Sequence, residues 1–299
     1  MKQEKSGLPT LAASTIWMIS LGYLGVQIAF TLETSQMSRI FQTLGADPTK
    51  LGWFFILPPL AGLVVQPGIG SLSDRTWIPK IGRRLPYLLI GMIFAVITMV
   101  ILPNVGSFGL GYGSLEALIF GAVAIAILDV ASNMAMQPFK MMIGDMVNDE
   151  QKSYAYGIQS MLSNFGAVIA AFFPFLLTSF GVANTAKKGV VPQSVVISFY
   201  VGAAVLVITS LFTIFRVHEY DPETYARYHG IKESDNTEDG GWIELLKKAP
   251  KVFWQVFISS VLLLDFIPIP FNLRNWRDCS KCMAHNQRIF SWLSSRHVS

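Results

Sequence analysis

Charged residues are scarce in this chain of 299 residues, because aspartate, glutamate, lysine and arginine together make up only 14% of it. Soluble domains contain about a quarter of such residues, so the composition excludes a soluble globular domain. Two cysteines are too few for the disulfide framework of a small secreted protein. The formal net charge is +4, but the basic residues lie in short clusters between apolar runs, which argues against nucleic acid as a partner.

Long apolar runs dominate what is present, since hydrophobic residues make up 52% of the chain and the mean hydropathy is +0.46. The six longest runs occupy residues 12–34 (with a more polar continuation to 41), 51–72, 85–102, 115–142, 154–180 and 194–215. Each is long enough to cross about 30 Å of hydrocarbon as a helix, which satisfies its own backbone hydrogen bonds. The sequence therefore predicts an all-α membrane protein, with a six-transmembrane-helix bundle in residues 1–216.

The rest of the chain divides into two segments of different character. Residues 217–250 are charged and contain glycine and aspartate, which predicts a cytoplasmic linker; within them and just beyond, residues 242–251 favour a short amphipathic helix at the membrane surface. Residues 251–299 begin like a seventh span, but Asp265, Pro268 and Pro270 interrupt the apolar run. We therefore expect an aborted span and an irregular tail.

The distribution of basic residues predicts the orientation of the bundle. Thirteen lysines and arginines lie in the connections on the side of the N-terminus, and only four lie in the connections on the other side. Because basic loops stay in the cytoplasm, we expect a multi-pass protein of the cytoplasmic (plasma) membrane with its N-terminus inside. The first apolar run lacks a small-x-small cleavage site, so we interpret it as a retained span instead of a signal peptide.

The fourth apolar run carries a stripe of polar side chains: Asp129, Asn133, Gln137 and Lys140. Their spacing of four, four and three residues places them on one side of a helix. Polar groups of this kind are costly in lipid, so the stripe predicts a site for a solute or a proton, with Asp129 as the group that changes protonation. Interhelical hydrogen bonding without a transport role is the alternative.

Two other runs carry weaker candidates. In the first run, Gln27 lies on a polar face, whereas Glu33 lies on another face, either as a second titrating carboxylate or as the partner of Arg39. In the fifth run, Gln159 and Asn164 are costly to bury and are candidates for the same cavity. The small residues around them favour close helix packing as the alternative.

The connection after the second run has the most specific local pattern. Its candidate residues are Gly70, Asp74, Arg75, Gly82, Arg83 and Arg84. Glycine permits close helix approach, an aspartate can pair with arginine or cap a helix, and an arginine pair anchors at an anionic leaflet. On physical grounds alone, this pattern is typical of a basic cytoplasmic loop.

The same loop carries a resemblance to a known family. Gly70-x-x-x-Asp74-Arg75, followed by Gly82-Arg83-Arg84, resembles the signature loop of the major facilitator superfamily, with a slightly longer insert before Gly82. Five other motifs resemble the sucrose/proton symporters and their bacterial glycoside-pentoside-hexuronide-like relatives: Gly25-Val26-Gln27, Gln42-Thr43-Leu44-Gly45, Val65-Gln66-Pro67, Leu128-Asp129-Val130-Ala131-Ser132-Asn133 and Gly144-Asp145-Met146. The resemblance covers about residues 15 to 256.

This resemblance implies a proton-coupled carrier of a disaccharide or glycoside, without a cofactor, built from two six-helix bundles around a central sugar site. It implies that Asp129 is the fourth-helix acid that couples protons and binds sugar hydroxyls. Asn133 and Gln137 would lie in the same cavity, and Lys140 takes the place of a basic residue there. It also implies a conformational gate that contains Gly70, Asp74, Arg75, Gly82, Arg83, Arg84 and Asp145.

The chain departs from that family in its second half. Six predicted spans and an aborted seventh stand where the family has two six-helix bundles, so we expect the N-terminal half of a carrier. We hypothesise that the tail after about Val256 is an out-of-frame translation, an idea that fails if no other frame of the gene continues with apolar runs of about 20 residues. Cys279, Cys282, His285 and His297 resemble a zinc-ligand set, but no compact turn frames them, and we predict no metal site.

The leading functional hypothesis is a truncated half-transporter for a sugar and protons in the lipid bilayer. The alternatives are a non-transporting membrane fragment, a half-unit that acts only by assembling with another chain such as a missing C-terminal half, and a homodimer. An intramembrane enzyme is disfavoured, because the predicted spans contain no Ser–His, paired-aspartate or metal-ligand spacing. The identity of the sugar and the choice between proton and sodium stay open.

Overall fold

The computed structural model describes residues 7–46, 57–79, 81–108, 112, 114–187 and 189–229. Its helices are α1 (Ala13–Thr43), α2 (Leu57–Arg75), α3 (Leu85–Ile101), α4 (Leu115–Met146), α5 (Asp149–Ser179), α6 (Gln193–Arg216) and α7 (Pro222–His229). A 3-10 segment, Leu102–Phe108, continues α3. Apart from one isolated bridge between Ile78 and Gly82, the described residues contain no extended pairing.

The all-α membrane bundle predicted from the apolar runs is confirmed. Within the described residues, five helices are long and apolar enough to cross a membrane, namely α1, α3 with the first turn of its 3-10 segment, α4, α5 and α6. The second predicted span corresponds to α2, which is described from Leu57 onward, and residues 51–56 lie outside the described part.

Two helices begin with side-chain caps that fix their positions. The hydroxyl of Ser114 accepts from the backbone amide of Ala117 at the start of α4, and the side chain of Asn148 accepts from Gln151 at the start of α5. Because such caps satisfy amides that a helix cannot pair internally, they favour these starting points. The cap at Asn148 explains why α5 begins at Asp149, before the apolar run that predicted it from residue 154.

Helix α1 is the centre of the bundle. It packs against α4, α5 and α6 along most of its length and also touches α3, while α3 and α2 both pack against α4. Close approach depends on small residues: a methyl group on Gly91 of α3 would come within 2.8 Å of the backbone at Ala131 and Ala135 of α4. In lipid, where apolar burial gives little net gain, such contacts between backbones hold helices together.

The helices alternate in direction, so their connections gather at two ends. At one end, the backbone amide of Leu11 donates to Oε1 of Gln151 at 2.8 Å, which ties the start of α1 to the start of α5. At the other end, Arg39 near the end of α1 donates to the backbone oxygen of Asn184, which precedes α6, at 2.6 Å. The N-terminus and the α2–α3 and α4–α5 connections therefore share one end of the bundle.

The segment predicted as a linker is described only at its beginning. Residues 217–229 contain α7 and a stretch that contacts the start of α3. The predicted surface helix (residues 242–251), the interrupted seventh span and the cysteine–histidine set all lie outside the described residues.

Candidate functional site

The polar stripe of α4 is centred on Asp129, whose side chain is fully buried. The amide nitrogen of Asn133, one turn further along, donates to the backbone oxygen of Asp129 at 2.9 Å and lies 3.4 Å from its Oδ1. Among the described residues, Oδ2 of Asp129 has no hydrogen-bond partner. One face of the carboxyl group is therefore held by α4 itself, and the other is left for a ligand or a proton.

Helix α2 completes this group through Gln66. Its side-chain nitrogen donates to Oδ1 of Asn133 at 2.8 Å, and its backbone oxygen accepts from the side chain of Gln137 at 3.2 Å. A methyl group on Gly62 would come within 3.3 Å of the same Asn133 oxygen, so the small residue lets α2 approach α4 here. We call Gln66, Asp129, Asn133 and Gln137 the α2–α4 polar cluster.

Gln66 was not among the candidates predicted from the sequence, although it lies in the motif Val65-Gln66-Pro67. The signal that could have identified it was the one that singled out Gln137, an amide inside an apolar run. The alternation of amide donors and acceptors beside a carboxyl group suits a ligand rich in hydroxyl groups, because each hydroxyl both donates and accepts.

The remaining polar residue of the stripe, Lys140, stands apart from the cluster. It is half-buried and makes no ion pair with the described residues, while its backbone oxygen lies 3.5 Å from the hydroxyl of Tyr156 on α5. The structure thus joins three of the four predicted stripe residues and leaves Lys140 at the margin.

Helix α1 presents two different environments. The half-buried Gln27 donates to Thr31 at 3.3 Å and accepts from Ser163 of α5 at 3.1 Å, so it links α1 to α5. Glu33 is fully buried, and neither of its oxygens has a hydrogen-bond partner among the described residues. One of the two roles predicted for Glu33 was to pair with Arg39. Arg39 instead donates to the side-chain oxygen of Asn184 at 2.7 Å.

The two candidates of α5 are also separated. Gln159 is buried and donates to the backbone oxygen of Phe139 on α4 at 3.1 Å, which is the interhelical contact expected of a packing residue. Asn164 is exposed and donates to the backbone oxygen of Ser160 at 2.7 Å within its own helix. Neither side chain joins the α2–α4 polar cluster by a hydrogen bond.

At the end of the bundle that carries the N-terminus, Arg84 is the centre of a second site. Its guanidinium is buried and forms ion pairs with Asp74 of α2 at 2.6 Å and with Asp145 of α4 at 3.0 Å. It also donates to the hydroxyl of Ser73 and lies 3.4 Å from the backbone oxygen of Gly70. One side chain therefore ties the end of α2, the start of α3 and the end of α4 together.

The neighbours of Arg84 in the signature loop differ in what they do. Arg83 pairs with Asp145 at 2.9 Å, so two arginines share one carboxylate. Gly82 has a φ of +111°, which favours glycine, and a side chain there would meet Glu219 at 2.9 Å. Arg75 is exposed and makes no ion pair with the described residues.

Glu219, which the sequence did not single out, closes this site from beyond α6. Its carboxylate accepts from the backbone amides of Arg83, Arg84 and Leu85 at 3.0, 2.9 and 2.9 Å. Burial raises the pKa of the Glu219 carboxyl, and the bonds from the three amides oppose that rise by favouring the ionised form. The acid acts as the cap that the N-terminus of α3 otherwise lacks among the described side chains.

Helix α7 adds aromatic contacts to the same place. The ring of Tyr225 lies 4.0 Å from the guanidinium carbon of Arg83, and its hydroxyl lies 3.4 Å from Oδ1 of Asp145. A ring nitrogen of His229 lies 3.1 Å from the backbone oxygen of Asp145. We call Asp74, Arg83, Arg84, Asp145 and Glu219 the Arg84 network, which α7 covers.

Comparison with known proteins gives a family and several relatives. The model of the Major Facilitator Superfamily matches residues 14–274, past Val256, where the resemblance of the motifs ends. The chain is 27% identical over 206 residues to the sucrose transport protein SUC4 of Arabidopsis thaliana, which covers 65% of this chain and 40% of the relative. It is 24% identical over 276 residues to the sucrose transport protein SUT5 of Oryza sativa subsp. indica, which covers 82% of this chain and 48% of the relative.

A fungal protein is similar at the same level. The general alpha-glucoside permease of Schizosaccharomyces pombe is 25% identical over 178 residues, which covers 58% of this chain and 32% of the relative. The chain thus spans less than half the length of these curated relatives.

Proposed function

The chain belongs to the Major Facilitator Superfamily, and from that membership we propose that it takes part in the transport of a sugar across a membrane, driven by protons. The names of its relatives point to sucrose and other α-glucosides as the substrate class. The observation that carries the proposal is the α2–α4 polar cluster, a buried carboxyl group beside three amide side chains where α2 packs against α4, which is a helix of membrane-spanning length.

The α2–α4 polar cluster supplies the chemistry for coupling. In its protonated form, the carboxyl group of Asp129 is neutral, tolerates burial and donates a hydrogen bond; in its ionised form, it resists burial. Protonation from the outside therefore prepares the cluster to bind a sugar, whose hydroxyls pair with Asn133 and Gln66. Loss of the proton on the inside weakens that binding and releases the sugar.

The Arg84 network supplies the change of access. It joins α2, α3 and α4 at one end of the bundle through a buried arginine and two carboxylates. While these ion pairs hold, that end stays closed, and alternating access requires them to separate during each cycle. We assign this end to the cytoplasmic side of the plasma membrane, because thirteen basic residues lie in the connections on that side and four on the other.

Carriers of this type hold the substrate between two repeats, so transport requires a second six-helix unit. In a membrane that contains this chain alone, the second unit is another copy. The exposed amide of Asn164 on α5 favours such an arrangement, since a polar side chain on a membrane helix is costly against lipid and needs a protein or aqueous neighbour. The alternative function is that of a half-unit that acts only with a different chain.

Uptake into proteoliposomes that contain the full chain tests these proposals. With an inward proton gradient, we expect accumulation of labelled sucrose or maltose together with acidification of the vesicle interior. Because two copies form the unit, the initial rate should rise with the square of the chain density at low density. Asp129→Asn should reduce gradient-driven accumulation to the level of empty vesicles, whereas the exposed Asp149→Asn should leave it unchanged.

The controls separate the two functions. Accumulation by Asp129→Asn against a sugar gradient would contradict the role of that carboxyl group. Absence of sugar-dependent proton movement at every chain density would reject independent transport and favour the half-unit. A rate that rises linearly with density from the lowest value would reject the pair of copies.

A further inference from the structure

The two buried carboxyl groups of the membrane helices lie at the same level of the bundle. Tyr23 of α1 meets Phe139 of α4 edge to face with 5.9 Å between ring centroids, and ten residues from each along the antiparallel helices lead to Glu33 and Asp129. At the other end, Phe41 of α1 lies beside Gly121 of α4, and eight residues back from each lead to the same pair. Both helices rise about 1.5 Å per residue, so the two contacts, one on each side of the pair, place Glu33 and Asp129 at the same height along the bundle.

From this register we propose that Glu33 and Asp129 form a carboxyl pair across α1 and α4 that shares one proton. The inference deepens the proposed function, on which its relevance to transport rests, because it adds a second acid to the proton site. It assigns to Glu33 a role as a proton-binding group and not as the partner of Arg39.

The hydrogen bonds of the two side chains support the pair independently of the register. Both carboxyl groups are fully buried, yet Oε1 and Oε2 of Glu33 and Oδ2 of Asp129 have no partner among the described residues. Buried polar atoms are nearly always paired, so three such oxygens at one level call for a ligand. A proton is the smallest ligand that joins two of them, since a carboxyl group that carries one donates to an oxygen of its neighbour.

Few other charged side chains lie near Glu33 and Asp129. Arg39, on the same helix as Glu33, is held by Asn184, and Lys140 lies eleven residues beyond Asp129, about 16 Å along the helix. The other described titratable groups of the helices that touch α1 lie toward helix ends: Tyr87 of α3, Glu116 and Asp145 of α4, Asp149, Glu150, Lys152, Tyr154 and Tyr156 of α5, and Arg216 of α6. Tyr200 of α6 lies nearer to the level of Glu33, but its side chain is exposed and its hydroxyl accepts from Asn104 at 2.6 Å.

Two carboxylates at one level in a region of low dielectric cannot both be ionised at modest cost, because their repulsion adds to the cost of burying each charge. Losing one proton leaves a single negative charge that the remaining carboxyl proton stabilises by a hydrogen bond. The protons of such a pair come off in two steps that belong to the pair and not to either residue. Neutralising either acid should therefore change the titration of the other.

Infrared spectroscopy tests the pair without sugar or transport. The full chain in lipid nanodiscs is titrated with alkali while the carbonyl stretch of protonated carboxyl groups is recorded, and separate labelling of aspartate or glutamate with carbon-13 identifies the residue. In the unsubstituted chain, we expect a buried protonated carboxyl at neutral pH whose band shifts on labelling of either residue type. In Glu33→Gln, the band of Asp129 should persist but vanish at a pH lower by about one unit or more, since the repelling charge is gone.

The matched variants make the outcome decisive. Asp129→Asn should produce the same shift in the band of Glu33, the double variant should lose both bands, and Glu116→Gln, an exposed acid of α4, should change nothing. The proposal is wrong if each single variant removes its own band and leaves the pH midpoint of the other unmoved, or if no protonated band is present at neutral pH. It is also wrong if sodium in place of choline removes the band at constant pH, because the pair would then hold a metal ion.

The results of the infrared titration can be distinguished from those of the uptake assay. A shared proton without sugar uptake would leave the pair in place and count against transport by this chain alone. Uptake with two independent titrations would support transport and reject the pair.

Discussion

Arg84 shows what a single buried charge requires of its neighbours. Its guanidinium is almost fully buried and is compensated by Asp74 and Asp145, which belong to two different helices. A buried charge that loses its partners costs several kcal/mol, so the folded state requires a carboxylate beside the guanidinium of Arg84. Arg75 comes from the same motif but is exposed and makes no ion pair with the described residues.

This contrast gives a prediction at the scale of one residue. We expect Arg84→Met to lower the free energy of unfolding by about 1–3 kcal/mol, because Asp74, Asp145 and Ser73 lose a buried donor, although Asp74 is half exposed and Asp145 keeps its pair with Arg83. Arg75→Met should change it by less than about 0.5 kcal/mol, as is usual for an exposed side chain. Thermal unfolding in detergent, followed by tryptophan fluorescence, measures both. Equal melting temperatures for the two variants would show that the ion pairs of Arg84 contribute nothing.

Side chains were predictable from the sequence where the signal was local. Asp129, Asn133 and Gln137 stand out because polar residues are rare in apolar runs, and the helix period alone places them on one side. What joins them, the side chain of Gln66, depends on the register between α2 and α4, which no short stretch of sequence encodes. The role of Glu219 was hidden for the same reason, since its partners lie 134 to 136 residues earlier.

At the scale of the element, α7 and the residues before it behave as part of the bundle. The apolar runs predicted the positions of the membrane helices, but the sequence from residue 217 onward is rich in charge and predicts a linker. A flexible linker and a helix docked on the bundle can have the same content of charged residues, so composition does not distinguish them. The difference lies in Glu219 and Tyr225, which reach the start of α3 and the end of α4.

A second prediction concerns this docked element. Glu219→Gln replaces a carboxylate that accepts from three amides by a neutral amide with one acceptor oxygen, so we expect a loss of about 1–3 kcal/mol of stability. Glu223→Gln, an exposed acid in the first turn of α7, is the matched control and should have little effect. Limited proteolysis after residue 216 provides a second readout, because release of α7 exposes its backbone. Equal cleavage rates in the two variants would contradict the docking role of Glu219.

At the scale of the whole molecule, the alternation of helix direction links the two sites. The Arg84 network lies at the end that holds the N-terminus, and the α2–α4 polar cluster lies further along the same pair of helices. A movement that separates α2 from α4 at the network therefore also alters the distance between Gln66 and Asn133. The family match and the five spanning helices place this whole arrangement in a membrane.

The orientation of the molecule is testable as a whole. The excess of basic residues predicts that the N-terminus and α7 face the cytoplasm, because lysine and arginine resist transfer across the membrane. An epitope tag before Met1 should bind antibody only after the cells are permeabilised, whereas a tag after Lys187, in the connection before α6, should bind in intact cells. The reverse pattern would overturn the assignment of the Arg84 network to the cytoplasmic side.

The cap on α3 also sets an order for biosynthesis. The amides of Arg83, Arg84 and Leu85 leave the ribosome long before Glu219 is translated, so their acceptor arrives only after α6 has been made. Until Glu219 is made, these three amides at the start of α3 lack that acceptor, although Arg83 and Arg84 can already pair with Asp74 and Asp145. The cap of the third helix is thus completed only after the sixth helix has been synthesised, so the last step in building this end of the bundle reaches back to its first half.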